Sequence, residues 1–339
     1  MGTLPDRSLA PTVLFTSVGR RVELLRAFRQ AYKTLGFKSR IVAVDIDSLA
    51  PALKEADISY IIPRLSAPDF LATLLDICRR DRVRLILPLI DPDIPVLATH
   101  QQTIEATGAR VAVVSKKASK IADDKWLTTN FFRSLGLDTP RSWLPDQTLC
   151  TSLDYPVFIK PRSGSAAKNT FKVHNNDELK FFSRYLPSPI IQEYLPGPEI
   201  TSDVICDLSG DVLGVASRKR IEVRWGEVAK GVTIHNGAII EACIKIAKAL
   251  PAVGPITVQC MMKSGVPHFT EINARLGGGI PLGIAAGVNA PLWLLARLAG
   301  IQINIPKVGS YKTGLFMTRF DQSFFLSKED HASLESCNF

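Results

Sequence analysis

Between residues 12 and 114 the chain alternates short, almost continuously apolar runs with segments of helical spacing. Residues 12–18, 39–44, 58–62, 85–88 and 110–114 read as strands. Residues 20–33 place Val22, Leu25, Ala27, Phe28 and Ala31 at helical intervals, and residues 67–80 form another helical stretch. Strands apolar on both faces, alternating with helices, predict a parallel sheet covered on both sides. The first turn holds Gly19 alone, followed by Arg20 and Arg21. The GxGxxG pattern is missing, so a nicotinamide dinucleotide is not expected, although Asp45 stands where a ribose-binding acid would. Arg20 and Arg21 at a helix start either meet an anion or are simply solvated. Asp91 and Asp93 follow a strand's carboxyl end, where open α/β sheets hold ligands; an ordinary Asp-Pro-Asp turn is the plain alternative.

From Ser115 the pattern changes. A helix over 123–135 is stopped by Gly136, and a loop covers 140–151. Strands at 155–160, 170–173 and 190–194 with a helix at 176–185 predict a small α+β module. Between its first two strands, residues 160–169 set small residues among Lys160, Arg162 and Lys168, which suits a flap over phosphates. No GxxxxGK[ST] motif occurs. Residues 192–199, with Pro196, Gly197 and Pro198, read as a stiff connector. Beyond it, strands are expected at 200–207, 212–220, 231–234, 255–262, 267–275, 302–305 and 314–320. Helices are expected at 237–250 and, apart from Gly283 and Gly287, 280–299.

Residues 255–275 form a hairpin signal around Lys263-Ser264-Gly265-Val266. A turn centred on Gly265 places Gln259 opposite Glu271. Strand alternation then gives one face to Glu271, Asn273 and Arg275, and the other to Thr270, Ile272 and Ala274. Gln259, Glu271 and Asn273 are oxygen donors suited to Mg2+ that shares its shell with nucleotide phosphates. Arg275 adds a planar partner for phosphate, and Gly277, Gly278 and Gly279 allow close backbone approach beside it. No histidine or cysteine is needed, so zinc is not expected.

The net charge is +9, from 41 basic and 32 acidic residues. The basic residues are scattered, with Arg218-Lys219-Arg220 the densest cluster. This favours a local site for a small anion, and no nucleic-acid partner is expected. Six cysteines form no CxxC pair and read as buried thiols in a reducing compartment. No apolar run reaches about 18 residues, and the N-terminus lacks the apolar core of a signal peptide. A cytoplasmic protein with no membrane partner is expected.

These pieces, in this order, resemble the ATP-grasp superfamily, in its carbamoyl-phosphate-synthetase-large-chain-like and pyrrolysine-biosynthesis-ligase-like branch. The resemblance covers residues 12–320. Its most specific part is Phe-Thr-Glu-Ile-Asn-Ala-Arg-Leu-Gly-Gly at 269–278, supported by Ser-Val-Gly-Arg-Arg at 17–21, Leu-Ile-Asp-Pro-Asp at 89–93, Asp-Lys-Trp at 124–126, Phe-Ile-Lys-Pro at 158–161 and Gln-Glu-Tyr-Leu at 192–195. It implies a Rossmann-like domain at 12–114, a lid at 115–192, a large subdomain at 193–326 and a mobile tail at 327–339.

The resemblance also implies roles. Lys125 and Lys160 would hold ATP, with Ser163, Gly164 and Ser165 in the flap above it. Asn169 stands where relatives often carry glycine, and asparagine tolerates the positive φ such a turn needs. Glu193, Tyr194 and Leu195 would form the adenine hinge, and Glu199 would take the ribose hydroxyls. Gln259, Glu271 and Asn273 would bind Mg2+, with Mn2+ as a substitute. Arg275 and Lys160 would act on the transferring phosphate. Arg218, Arg220, Arg224 and Glu227 lie where the family's substrate loop would be, and an arginine there either clamps the acceptor carboxylate or lies on a solvated strand face. The implied activity is ATP-dependent ligation of a carboxylate to an amine through an acyl-phosphate. The alternatives are a carbamoyl-phosphate-type kinase acting on bicarbonate or carbamate, and a non-catalytic nucleotide-binding protein. Such relatives are often homodimers, but no surface in the sequence identifies an interface.

Overall fold

The computed structural model describes residues 10–150, 152–164, 169–224 and 226–336. Among these residues, the first sheet is β1 (Thr12–Thr16), β2 (Ile41–Asp45), β3 (Ile58–Ile61), β4 (Val83–Pro88) and β5 (Arg110–Val111), ordered β3-β2-β1-β4-β5. All its pairings are parallel. β1 and β2 are buried along their whole length, as continuous apolar runs require. Gly19 makes the expected tight turn at φ 47°, and its N–H donates to Asp45 Oδ2 at 2.8 Å. Asp45 therefore holds the turn that leads into the helix Val22–Thr34.

The second sheet contains β6 (Ser142–Trp143), β7 (Val157–Pro161), β8 (Phe171–Val173) and β9 (Pro189–Glu193), ordered β6-β9-β7-β8 and antiparallel. β6 lies within residues expected as loop, because two residues carry no readable period. The helix Asn176–Tyr185 is capped by Asn175, whose side chain accepts from the Glu178 N–H. Val157, Ile159, Val173, Leu179, Leu186 and Ile191 form a small core of this unit's own.

The third sheet contains β10 (Glu199–Cys206), β11 (Val212–Arg224), β12 (Glu227–Ile234), β13 (Ile256–Lys263), β14 (Val266–Asn273) and β15 (Phe316–Thr318). Its order is β14-β13-β10-β11-β12-β15, antiparallel throughout. β11 and β12 reach further than their apolar runs, because their outer halves carry charge on an exposed face. Lys230 and Glu222 pair there at 2.6 Å. Leu25 and Phe28 of the first unit share one core with Ile205, Trp293 and Leu295 of the third. The helix Val22–Thr34 packs on the helix Ala290–Leu298, which joins the two units.

Three expectations change. Residues 302–305 form no strand, and β15 pairs with β12 alone. The apolar run 280–299 is two helices, Ile280–Ala285 and Ala290–Leu298, divided at Gly287 with φ 111° and restarted by the Asn289 cap. The polar end, expected as a mobile tail, contains the helix Lys328–Ser336, with His331 Nε2 2.9 Å from Ser48 Oγ. Among the described residues, Cys78, Cys206, Cys243 and Cys260 are buried free thiols, and no helix is long and apolar enough to cross a membrane.

Candidate active site

The β13–β14 hairpin turns through Ser264 and Gly265, with φ 50° and 82°. Positive φ at both positions is the two-residue turn that matches strand twist. The turn is thus centred between these residues, and regular pairing would set Gln259 against Thr270. A bulge intervenes: Cys260 pairs with Phe269, whereas Gln259 pairs with Glu271. Thr270 is the extra residue, and its Oγ1 donates to the Gln259 carbonyl at 3.3 Å. Phe269 and Ile272, three positions apart, both enter the core. The strict alternation expected at 269–275 therefore breaks at Thr270, yet the bulge restores the expected neighbours Gln259 and Glu271.

These residues line a cavity of about 440 Å³ between the second and third sheets. Its walls bring together Lys125, Lys160, Ser163, Gly164, Glu199, Gln259, Glu271, Asn273 and Arg275. Ser165 lies outside the described residues, as do the flap residues 166–168. Asn169, at the flap's far end, has the positive φ expected of it, 55°.

Lys125 opens the helix Lys125–Ser134, whose cap Asp124 accepts from the N–H groups of Trp126 and Leu127. Asp124 also pairs with Arg162 at the flap's base. Lys125 Nζ donates to Gly164 O at 2.7 Å and its backbone N–H to Arg162 O at 2.9 Å. The cap thus fixes the lysine against the chain entering the flap. Burial drives the Lys160 ammonium down to about 8, with Lys125 adding repulsion and Glu271 and Glu199 opposing. Burial likewise pushes the Glu271 carboxyl above its usual range, against the pull of Lys125, Lys160 and Arg275. A desolvated carboxylate among cations gains most from a further cation and from polar ligand atoms.

Among the described residues, no hydrogen bond or ion pair holds the Glu271 side chain. Gln259 Nε2 donates to Glu199 Oε1 at 2.9 Å, which turns the Gln259 amide oxygen the other way. Asn273 Oδ1 lies 3.3 Å from Arg275 Nη2. This donor set of one carboxylate and two amide oxygens fits Mg2+ held jointly with phosphates. Among the described residues, no group of three or more His, Cys, Asp or Glu side chains could hold a metal.

Arg275 Nη2 pairs with Asp91 at 2.7 Å, so the aspartate flagged after the first sheet's β4 serves this site. Asp93 is buried and accepts from Thr16 Oγ1 at 2.6 Å and Ser17 Oγ at 2.9 Å. Its desolvation pushes the carboxyl up to about 6. Asp93 ties β1 to the β4 turn and does not line the cavity.

The expected hinge residues Glu193, Tyr194 and Leu195 are not among those lining the cavity. Glu193 is bound to Lys263 and to Arg141, 3.4 Å from Arg141 Nε. Burial disfavours its charge, but these cations outweigh burial and hold the carboxyl below its usual range. The Tyr194 ring receives Lys172 Nζ at 4.0 Å, and Leu195 is buried. Tyr194 and Leu195 follow the end of β9, so their backbone lies beyond the ladder. Glu199 uses Oε1 for both Gln259 and Arg220, the latter at 2.7 Å.

A second cavity, of about 170 Å³, shares Arg220, Gly226, Gln259, Asn273 and Arg275 with the first. Arg218 and Glu227 line this cavity rather than the larger one. Arg218 is 3% exposed and gives both Nη atoms to Asp203, itself 1% exposed. It is a buried ion pair, not a solvated strand face. Arg224 lines neither cavity; it is exposed near Glu222 and Asp321. Glu227 pairs with Arg21 at 3.2 Å and Arg319 at 3.1 Å.

The glycine run also has a reason within the protein. A Cβ on Gly278 would lie 2.7 Å from both Arg21 Nη1 and the Glu227 carboxylate, and one on Gly279 would collide with Arg218 Nε. The glycines leave room for the side chains of Arg21, Arg218 and Glu227. Thr201, Asp203 and Arg319 join this region from outside any motif. Asp203 carried a signal: an acid within an apolar strand needs a cation.

Residues 13–112 match the family of PylC-like N-terminal domains, and residues 186–321 match the family "ATP-grasp in the biosynthetic pathway with Ter operon". The chain is 28% identical over 192 residues to the D-alanine–D-alanine ligase of Fusobacterium nucleatum, spanning 52% of this chain and 64% of that protein. It is 21% identical over 305 residues to the carbamoyl phosphate synthase large chain of Caldanaerobacter subterraneus, spanning 84% of this chain and 28% of the relative. In fold it is similar to the biotin carboxylase domain of Hydrogenobacter thermophilus 2-oxoglutarate carboxylase, crystallised with MgADP, ADP and bicarbonate. That match has a TM-score of 0.70 and 18% identity, covering 90% of this chain and 73% of that one. The parallel first sheet, the two antiparallel sheets and these matches make the chain a member of the ATP-grasp superfamily.

Proposed function

We propose that this protein is an ATP- and Mg2+-dependent ligase that activates a carboxylate as an acyl-phosphate and joins it to an amine. The reading rests on one observation: Lys125, Lys160, Gln259, Glu271, Asn273 and Arg275 line a single cavity. In the first step an acceptor carboxylate oxygen attacks the γ-phosphorus, the bond to the β,γ-bridging oxygen breaks, and ADP leaves. In the second the amine attacks the acyl carbon and loses a proton, and phosphate leaves.

Lys160 and Arg275 would sit against the transferring phosphate and offset the charge that builds on it. Lys125, braced against the flap base, would hold the nucleotide together with Ser163 and Gly164. Glu271 and the amide oxygens of Gln259 and Asn273 would hold Mg2+, or Mn2+ in its place, which supplies charge neutralisation to the phosphates. Glu199 has Oε2 left for a ribose hydroxyl, and the backbone at 193–195 is the candidate adenine contact. The protein's contribution is positioning and electrostatics, with no covalent enzyme intermediate.

Bicarbonate is a second acceptor to test, because the similar biotin carboxylase domain was crystallised with it. An ADP-release screen of carboxylates and bicarbonate, crossed with amines and followed by product mass spectrometry, separates the readings. Amide product supports the ligase. Bicarbonate-dependent ADP release without an amine supports the kinase. Nucleotide binding without turnover across the panel supports a binding protein.

A further inference from the structure

The first unit reaches the proposed phosphoryl-transfer site through the turn 89–92, which joins β4 to the helix Asp93–Thr99. Two buried anchors hold this turn. Leu89 enters the core, and the Asp93 carboxylate accepts from Thr16 Oγ1 and Ser17 Oγ at the end of β1. Between them Pro92 sets φ at −59°. Asp91 is thus presented from a fixed backbone, and its Oδ2 accepts from Arg275 Nη2 at 2.7 Å. The pair is largely withdrawn from water, the side chains being 22% and 14% exposed. Arg275 lines the 440 Å³ cavity, and Asp91 is not among the residues that do. Arg275 stands two residues past Asn273, where β14 ends. Its backbone is held, the N–H by Asn273 O at 2.8 Å and the carbonyl by Thr257 Oγ1 at 3.0 Å. Neither bond fixes the long side chain, whose rotamer freedom is among the largest of any residue. Among the described residues, its other side-chain bonds run to Asn273 Oδ1 and the Leu276 carbonyl, both at 3.3 Å. Those are long for N–H···O bonds, and the short, charged bond is the one to Asp91.

We propose that Asp91 is a positioning residue for phosphoryl transfer: from the first unit, it aims the Arg275 guanidinium at the transferring phosphate without lining the nucleotide cavity. The proposal rests on the ligase reading for what Arg275 meets. Asp91 engages Nη2, and Nη1 gives one of its two N–H groups to the Leu276 carbonyl. The other Nη1 N–H is left for a phosphate oxygen. The carboxylate at one end of the fork does not remove the charge, because a guanidinium keeps its proton in proteins. What Asp91 supplies is geometry, and a misplacement of about 1 Å at a reacting group costs ~100-fold in rate. An interaction with the transferring phosphate counts in the transition state, so its loss falls on kcat more than on KM. An ion pair that merely joined two units would shift the melting temperature and leave kcat alone.

The test is a double-mutant cycle on steady-state ADP release, with the best acid and amine pair from the screen. Asp91→Ala should lower kcat at least about ten-fold and change KM for MgATP by less than about three-fold. Asp91→Glu, which keeps the charge, should recover part of the rate. Arg275→Lys removes the fork that Asp91 aims, so adding Asp91→Ala to it should cost less than about three-fold more. Melting temperatures show which variants are folded at the assay temperature. Asp91→Asn, isosteric and uncharged, should also lose kcat, and it decides the matter where the alanine variant does not fold. Wild-type kcat in folded Asp91→Ala, a loss confined to KM, or an undiminished effect of Asp91→Ala in the Arg275→Lys background overturns the proposal and leaves the ligase reading standing. No ADP release by the wild type, or full release by Arg275→Lys, counts against the ligase reading, and the proposal falls with it.

Discussion

Gln259 and Glu271 face each other across β13 and β14 because the ladder slips by one residue between Gln259 and Cys260. Glu199 accepts from the Gln259 amide nitrogen at 2.9 Å, which leaves the amide oxygen for a cation. Gln259→Leu removes that oxygen and also strands Glu199 with Arg220 alone. We expect MgATP turnover to fall at least ten-fold, with a higher Mg2+ concentration needed for half-maximal rate. A Mg2+ titration of the ADP-release rate checks this.

Lys160 gives a second prediction. Burial holds its ammonium near 8, so at pH 8 about half of the free protein lacks that charge. Nucleotide phosphates favour the protonated form. Binding of MgADP at pH 8 should therefore take up a fraction of a proton, and at pH 6, where the lysine is already charged, it should not. Calorimetry in two buffers of different ionisation enthalpy measures the uptake. Lys160→Arg should abolish it.

Asp93 predicts a pH dependence of stability. Its folded value of about 6 lies above the ordinary 3.8, so the folded state binds the proton more tightly than the unfolded chain does. The associated stability is fully present below about pH 4 and is lost as pH rises through about 6. The shift of roughly two units corresponds to ~3 kcal/mol as an order of magnitude. Asp93→Asn should lack this component. Urea unfolding of both proteins between pH 4 and pH 7 should show the wild type losing stability relative to the variant.

Gly278 tests the reading of the glycine run. Alanine there meets both Arg21 and Glu227 at 2.7 Å and must displace both. We expect a loss of about 1–3 kcal/mol by urea unfolding, as for other overpacked sites. Gly237, around which a Cβ meets nothing within 4 Å, should accept alanine with little cost.

How far the sequence reached depends on the range of the interaction. The α/β first unit was legible because strands covered on both faces are apolar throughout, and β1 and β2 are fully buried. The hairpin was legible from Ser264 and Gly265, whose positive φ needs that kind of turn. The bulge at Thr270 was not, because the extra residue leaves no mark on composition; the expected pairing was reached through a turn centre half a residue off. Gly277, Gly278 and Gly279 stood out, but their reason is tertiary. They make room for Arg218 and Arg21, which arrive from β11 and from the first sheet's turn. The Arg218–Asp203 pair joins adjacent strands diagonally, with Asp203 opposite Ala216 and Arg218 opposite Thr201. Only the register reveals it. Asp91 reaches Arg275 across 184 positions, beyond any local pattern.

The central claim is that Glu271 holds the cation that makes MgATP reactive in the larger cavity. Glu271→Gln keeps the shape of the side chain and removes its charge. The measurement is the rate of ADP release by this variant beside the wild type, with the best acid and amine pair from the screen and melting temperatures recorded for both. The account predicts at least a hundred-fold loss of ADP release with the melting temperature unchanged or raised. Unchanged ADP release by a folded Glu271→Gln protein would contradict it.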